Sequence, residues 1–167
     1  QLRRKYREIM VDEYQDTNAV QQKIVWLLCK DHLRVCAVGD DAQSIYAFRG
    51  ANIDNILDFR EIFTGTQLFK LEQNYRSTQR IVQAANSVIR HNERQIPKDV
   101  YSKNDQGDPI VLKPAYSDRE EAIIVCNEIK RIRNAEHCEY ADFAVLYRTN
   151  SQSRSFEEAM LKVNIPY

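Results

Sequence analysis

Glycine and proline are scarce in this sequence, with 4 of each among 167 residues. No glycine is followed by lysine, so the chain holds no Gly-Lys-Ser or Gly-Lys-Thr loop of the kind that cradles nucleotide phosphates. No apolar run approaches the roughly 20 residues that a membrane-crossing helix needs. Basic residues are not in excess either, since Lys+Arg and Asp+Glu are 24 each. Any contact with nucleic acid must therefore come from a local patch or from stacking.

The four cysteines show no spacing typical of metal or redox sites. Three of them, Cys29, Cys36 and Cys126, fall in apolar segments and are predicted to be buried, reduced thiols, which fits a cytoplasmic setting. The composition is 43% hydrophobic and 29% charged, which is enough apolar material for a globular core. We expect no signal peptide, and because the first residue is Gln1 rather than Met, we expect the chain to be part of a longer one.

What the sequence does contain is a short apolar run, residues 9–11, that leads directly into Asp12 and Glu13. Such a run predicts a strand buried on both faces, with the two acids at its carboxyl end, where open α/β sheets keep their ligands. In nucleotide hydrolases an acid pair in this place holds the magnesium shell and activates the attacking water. The alternative is a strand that simply ends in an acidic turn.

A second polar block follows the apolar run at residues 33–38 and begins with Gly39. Gln43 in this block is uncharged, and a neutral amide can sense a phosphate or position water without adding charge. Tyr46 and Phe48 are two residues apart, and exposed rings can stack on unpaired bases without reading sequence. The alternatives are that Gln43 is an ordinary turn residue and that both rings belong to the core.

A third block places Tyr75 and Arg76 directly after another predicted strand. A planar guanidinium that arrives from a second domain can neutralise charge on a transferred phosphate. The alternative is a Tyr-Arg pair that caps the strand. Arg148, Asn150 and Arg154 follow the last predicted strand, in a segment that reads equally well as a solvated loop.

Predicted strands alternate with predicted helices along the chain, which indicates an α/β fold with mostly parallel sheets. The strands are predicted at residues 8–12, 33–38, 68–71, 110–112 and 143–146. Thr17 or Asn18 is the predicted cap of the first long helix. The apolar faces of the long helices are predicted at Val20, Ile24, Leu27 and Leu28, then at Ile81, Ala85, Val88 and Ile89, then at Ala122, Val125, Cys126, Ile129 and Ile132, and finally at Phe156, Ala159, Met160 and Val163.

Four blocks of the sequence, taken in order, resemble a known family of motors. They are IMVDEYQD at residues 9–16, VGDDAQSIYAFRGA at 38–51, LEQNYRS at 71–77 and DFAVLYRTNSQSR at 142–154. The first three are similar to motifs II, III and IV of superfamily one DNA helicases, in the UvrD/Rep/PcrA group. The resemblance implies parts of two RecA-like domains of the P-loop NTPase fold, residues 1–66 and residues 67–167. The Walker A loop and motifs V and VI of that family are missing from this sequence.

The resemblance also implies roles for individual residues. It assigns catalysis to Asp12, Glu13, Gln43 and Arg76, with Asp12 holding Mg2+ through water and Gln43 placed at the γ-phosphate. It assigns nucleotide contacts to Gln15, Arg49, Tyr75 and Arg76. It assigns DNA contacts to Tyr46, Phe48, Arg148 and Asn150. The family usually has Trp where Phe48 stands, which predicts a smaller stacking surface. The implied cofactors are ATP and Mg2+. The implied partners are single-stranded DNA and duplex junctions, together with repair or replication proteins.

Three functional hypotheses remain open at this point. The first is a piece of a bacterial cytoplasmic, ATP-dependent DNA helicase that moves 3′ to 5′, expected to be inactive alone because the phosphate-binding loop is absent. The second is the helicase subunit of a helicase–nuclease recombination complex, a group that departs more in the Asn-Tyr-Arg-Ser and Tyr-Arg-Thr-Asn stretches. The third is a degenerate DNA-binding module without hydrolysis, against which the intact set of Asp12, Glu13, Gln43 and Arg76 argues.

Overall fold

The computed structural model describes residues 2–167, and the chain divides after Ile110 into two compact units. Each unit has its own buried cluster of side chains and is described by itself. The predicted boundary between residues 66 and 67 refers to the domains of the family that the sequence resembles and not to the compact units of the structure. It stays a prediction.

The first unit contains two separate parallel sheets of two strands each. β1 (Ile9–Val11) pairs with β2 (Val35–Ala37), and β3 (Gln73–Asn74) pairs with β4 (Tyr101–Ser102). The helices of this unit are α1 (Leu2–Lys5), α2 (Ala19–Cys29), α3 (Asp54–Leu57), α4 (Phe59–Ile62) and α5 (Gln79–Ile89). Each pair of parallel strands is connected through a helix, as the predicted α/β class requires.

An aromatic core supports the segment that leaves β1. The buried cluster consists of Tyr14, Val25, Cys29, Phe59 and Phe63. Tyr14 meets Phe59 edge to face with the ring centroids 5.1 Å apart, and Phe59 lies 4.5 Å from Phe63. Burial raises the pKa of Tyr14 to about 12, which agrees with its place in the core. This packing fixes the chain immediately after the two candidate acids.

α2 begins at a capping box. The Asn18 side chain accepts a hydrogen bond from the Gln21 backbone N–H at 2.9 Å, and the Gln21 side chain accepts one from the Asn18 N–H at 2.9 Å. Asn18, one of the two predicted caps, is therefore the cap. Thr17 is tied to buried Asn55 of α3, whose amide donates to the Thr17 carbonyl oxygen at 2.9 Å.

Three of the five strand predictions were wrong for the part of the chain that the structure describes. Residues 68–71, 110–112 and 143–146 form no ladder there. Leu71, Leu112 and Leu146 are accordingly 89%, 91% and 94% exposed. An apolar run becomes a strand only when a neighbouring strand takes up its backbone hydrogen bonds, and none of residues 2–167 does so for these three runs.

Two predicted helix faces were also wrong. α2 buries Cys29 while Ile24 is 51% exposed, and α5 buries Val82 while Val88 is 69% exposed. In both helices more than one set of apolar residues fits a period of 3.6, so periodicity alone does not choose the buried face. Cys36, predicted to be buried, is exposed on β2, because successive strand residues point to opposite faces.

The second unit is built on α6 (Asp118–Glu136) and α7 (Ser153–Lys162). Their predicted apolar faces are confirmed. The buried cluster is Ala122, Cys126, Ile129, Phe156, Ala159, Met160 and Ile165, with Val125 and Val163 packed against it. Ser117 caps α6 by accepting the Glu120 N–H at 3.2 Å. Among residues 2–167, no helix combines the length and the apolar composition that crossing a membrane requires.

Candidate functional site

The two predicted acids lie at the carboxyl end of β1. The Tyr14 N–H donates to the Val38 carbonyl oxygen at 3.0 Å, so hydrogen bonding between the two chain segments continues past the acids. Glu13 adopts the left-handed conformation, with φ 49° and ψ 46°, which turns the chain sharply out of the strand. Strained backbone of this kind is typical of functional sites. Asp12 and Glu13 are both exposed, so solvent and ligands can reach the carboxylates.

Gln15 lies beneath these acids and is 1% exposed. Its amide nitrogen donates to Glu13 Oε2 at 2.7 Å, and its amide oxygen accepts the Asp40 backbone N–H at 3.0 Å. Gly39 makes room for this contact, because a Cβ there would lie 2.6 Å from the Gln15 amide oxygen. The predicted contact of Gln15 with nucleotide stays a prediction. The structure adds a role for its amide, which orients Glu13.

Gln43 ends the 3-10 turn Asp41–Gln43 and is exposed. Its amide nitrogen donates to Asp40 Oδ2 at 2.8 Å. Asp40 Oδ1 accepts the Ala42 backbone N–H at 3.1 Å, which caps the same turn. Glu13 and Gln43 are thus the two ends of one hydrogen-bonded chain that runs through Gln15 and Asp40.

Lys98 was not among the predicted site residues, yet its Nζ lies 2.7 Å from Asp40 Oδ1 and 2.5 Å from Asp41 Oδ1. Burial alone raises the pKa of Asp40, but hydrogen bonds from Lys98 and Gln43 outweigh it and hold that pKa below its usual value. Burial likewise opposes the charge of Lys98, but hydrogen bonds to the two carboxylates outweigh it and raise the pKa of the lysine. No local sequence pattern links two residues this far apart, so only the structure reveals the contact.

Half-buried Tyr46 and the exposed Phe48 and Arg49 form a cluster beyond Gln43. Phe48 is 78% exposed, so it is not the core residue that the alternative interpretation required. The ring centroids of Tyr46 and Phe48 are 6.0 Å apart, and the Arg49 guanidinium carbon lies 5.1 Å and 5.3 Å from them. The cluster combines the exposed ring of Phe48 with a positive charge, and stacking and positive charge are the two means by which proteins bind single strands.

Tyr75 and Arg76 lie in the turn after β3, and both are exposed. The Asn74 side chain accepts the Arg76 N–H at 3.0 Å, and the Asn104 amide donates to the Tyr75 carbonyl oxygen at 3.1 Å. The backbone of the turn is therefore fixed while both side chains face solvent. Within residues 2–167, no hydrogen bond or ion pair joins the Arg76 side chain to the two acids, and its predicted role stays a prediction.

Asp12 is the residue predicted to hold Mg2+ through water. Magnesium keeps several waters and takes only one or two protein carboxylates together with substrate phosphates. The exposed Asp12 carboxylate fits that chemistry, and Glu13 and Asp16 line the same depression. No group of three or more His, Cys, Asp or Glu side chains in residues 2–167 is arranged to hold a metal ion. The predicted role of Asp12 in holding Mg2+ through water stays a prediction.

Arg148 and Asn150 lie in the second unit and are exposed. Asn150 begins the 3-10 turn Asn150–Gln152, which Thr149 caps. Arg154, on α7, pairs with Glu158 at 3.1 Å. The predicted contacts of Arg148 and Asn150 with DNA stay predictions.

Two family models match the chain. The UvrD/REP helicase N-terminal domain matches residues 1–64, and the UvrD-like helicase C-terminal domain matches residues 69–167. UvrD-like helicase domains are RecA-like, and the parallel sheets described above agree with them, so the predicted α/β fold class is confirmed.

Individual relatives are similar over nearly the whole chain. The ATP-dependent DNA helicase PcrA of Leuconostoc citreum is 47% identical over 162 residues, which cover 97% of this chain and 22% of that protein. The proteins of the same name from Staphylococcus epidermidis RP62A and Staphylococcus aureus Mu50 are 47% identical over 163 and 164 residues. Each match covers 98% of this chain, and the chain spans 22% of the length of these relatives.

Proposed function

The chain belongs to the UvrD-like helicase family, and on that premise we propose that it is part of the ATP-dependent motor of a DNA helicase. We propose that the motor moves 3′ to 5′ on single-stranded DNA and opens duplex junctions in repair or replication. The observation that carries the proposal is the hydrogen-bonded chain from Glu13 through Gln15 and Asp40 to Gln43. It supports a site in which one series of hydrogen bonds holds both the general base, Glu13, and the phosphate sensor, Gln43.

Glu13 is the residue best placed to accept a proton from an attacking water. Its carboxylate is exposed, while Gln15 orients one of its two oxygens. Gln43 is the candidate for sensing the γ-phosphate, since its amide is exposed and oriented by Asp40. Asp12 would hold magnesium together with ATP, and the ion would supply positive charge against the phosphates. Arg76 adds a second positive charge from the exposed turn after β3.

The cluster of Tyr46, Phe48 and Arg49 is the proposed contact with single-stranded DNA. It follows Gln43 by only a few residues, so one short segment carries both the phosphate sensor and the stacking surface. A movement of this segment on hydrolysis would therefore also move the surface that contacts the DNA. This closeness supports a motor in which hydrolysis and movement are coupled.

Two alternatives are weaker. A degenerate binding module has no use for a carboxylate that a buried amide orients, as Gln15 orients Glu13. A helicase–nuclease subunit shares the chemistry, but the complete Asn-Tyr-Arg-Ser stretch at residues 74–77 favours the UvrD/Rep/PcrA group. A location in the bacterial cytoplasm is also proposed, and the bacterial sources of the relatives support it.

The experiment that tests the proposal replaces Glu13 in the full-length protein. Glu13→Gln keeps a hydrogen-bonding group but cannot accept the proton, so we expect nearly normal ATP binding and almost no hydrolysis. Glu61→Gln, an exposed acid on α4, is the matched control and should hydrolyse normally. Steady-state phosphate release with saturating single-stranded DNA gives the rate. Turnover of Glu13→Gln close to that of the unmodified protein would contradict the proposal.

A further inference from the structure

We propose that Lys98 is a positioning residue for ATP hydrolysis: its ammonium group fixes the Asp40 carboxylate, and Asp40 in turn orients Gln43. The proposal rests on the proposed function, because the orientation of Gln43 matters only in a protein that hydrolyses ATP. Lys98 lies in the polar connection between α5 and β4, outside every motif identified in the sequence.

Asp40 is the junction of the hydrogen-bonded chain. Its Oδ1 accepts from the Ala42 N–H at 3.1 Å and from Lys98 Nζ at 2.7 Å, while its Oδ2 accepts from the Gln43 amide at 2.8 Å. Its own backbone N–H donates to Gln15 at 3.0 Å. Any rotation of the Asp40 carboxylate therefore moves the acceptor on which the Gln43 side chain depends.

The lysine is buried enough to hold this geometry. Its side chain is 19% exposed and that of Asp41 is 3% exposed, whereas most surface ion pairs are solvated and constrain their partners weakly. The ammonium lies between two carboxylates that are adjacent in sequence and repel each other. Without the lysine, Asp40 is driven away from Asp41, and the Gln43 amide loses a fixed acceptor. The lowered pKa of Asp40 and the raised pKa of Lys98 agree with a charged pair.

The ion pair also joins the two regions that the family models match. Asp40 lies in the region that matches the N-terminal domain, and Lys98 lies in the region that matches the C-terminal domain. The orientation of Gln43 therefore depends on where the second region is placed. Other contacts hold the same segment, since Arg94 pairs with Asp54 and the Ile96 N–H donates to Asp41 Oδ2 at 2.9 Å. A change at Lys98 thus removes the ammonium group without releasing the segment.

The test uses the full-length protein and measures ATP hydrolysis with saturating single-stranded DNA. Lys98→Met keeps the length of the side chain and removes the charge, and we expect kcat to fall about 10-fold or more, the scale on which loss of an orienting partner acts. The KM for ATP should change by less than about 2-fold, because the substitution should not alter the interactions that bind ATP equally in the ground state and in the transition state. Lys98→Arg should restore most of the rate. Arg90→Met is the matched control, because it removes an exposed pair with Asp99 at 3.9 Å from the same region, and it should leave kcat unchanged.

A double-mutant cycle separates positioning from general damage. If Lys98 acts through Gln43, then Gln43→Ala combined with Lys98→Met should be no slower than Gln43→Ala alone. If the two losses multiply, the proposal is overturned. Thermal unfolding of every variant accompanies the kinetics. Should Lys98→Met fail to fold, Asp41→Asn is added to it, because this removes the buried carboxylate that the first change leaves unpaired.

The outcomes also separate this inference from the function on which it rests. If the unmodified protein shows no DNA-stimulated ATP hydrolysis, the proposed function fails and the inference fails with it. If the unmodified protein is active and Lys98→Met is equally active, only the inference fails. A lowered kcat that Lys98→Arg does not restore would also overturn the role of the positive charge.

Discussion

The side-chain amide of Gln15 donates a 2.7 Å hydrogen bond to the carboxylate of Glu13, two residues earlier in the chain. Because Gln15 is 1% exposed, its position is set by packing and not by solvent. The left-handed backbone of Glu13 brings the two side chains together on the same side of the turn. A buried, neutral group thus orients an exposed, charged one.

We therefore expect Gln15→Met to slow hydrolysis by about 10-fold or more in the full-length protein, since Glu13 loses its orienting partner. The same change leaves the part-buried Asp40 N–H without its acceptor, which should lower stability by at most about 1–3 kcal/mol. Gln22→Met on α2 is the control for the substitution itself. Steady-state kinetics and urea unfolding give the two values. Normal hydrolysis in a folded Gln15→Met variant would show that Glu13 needs no orientation.

Phe48 provides a second prediction. Because its ring is 78% exposed, Phe48→Ala should weaken single-stranded DNA binding by about 1–3 kcal/mol and leave the melting temperature nearly unchanged. Phe48→Trp should keep or strengthen binding, and Phe48→Leu, which keeps apolar bulk without a π-face, should weaken it. Fluorescence titration with an oligonucleotide at fixed salt measures the affinities. A large fall in melting temperature with unchanged affinity would identify the ring as a packing residue.

Arg76 provides a third prediction. Its backbone is fixed by Asn74 while its side chain is exposed, so the guanidinium is available to a phosphate. Arg76→Ala should slow hydrolysis by up to roughly 10³-fold, the scale of an arginine finger, with a much smaller change in nucleotide affinity. Arg80→Ala, four residues further along the chain on α5, is the control. If Arg76→Ala lost affinity and kept its rate, Arg76 would be a binding residue only.

Local signals in the sequence were sufficient where the structure depends on neighbouring residues. The apolar run before Asp12 predicted β1, and Asn18 was identified as a possible cap because capping involves residues three apart. The buried face of α6 was predicted because Ala122, Cys126 and Ile129 recur at helical spacing among many charged residues. The apolar run at residues 33–38 likewise predicted β2, after which Gln43 lies.

Contacts between distant residues were not predictable in the same way. Nothing near Lys98 in the sequence indicates that it meets Asp40 and Asp41. The strand predicted at residues 68–71 failed for a related reason, because strand formation depends on a partner and not on the apolar run itself. The buried face of α2 depended on which side the aromatic core occupies, and the period of 3.6 residues does not contain that information.

The ion pair of Lys98 with Asp40 predicts how stability depends on pH. The pKa of Asp40 is lowered in the folded state, so its contribution is present above the unfolded value of about 3.9 and is lost as the pH falls through the folded value. The pKa of Lys98 is raised, so its contribution is present below about 10.4 and is lost as the pH rises through the folded value.

The difference in unfolding free energy between the unmodified full-length protein and Lys98→Met should therefore be constant from about pH 5 to about pH 9. It should shrink on both sides of that window, because one member of the pair becomes neutral on each side. Urea unfolding of the two proteins in parallel across roughly pH 3–11 measures this difference, and the exposed pair of Arg90 with Asp99 is the control. A difference that grew as the pH fell below about 4 would mean that Lys98 stabilises the fold by something other than its charge on Asp40.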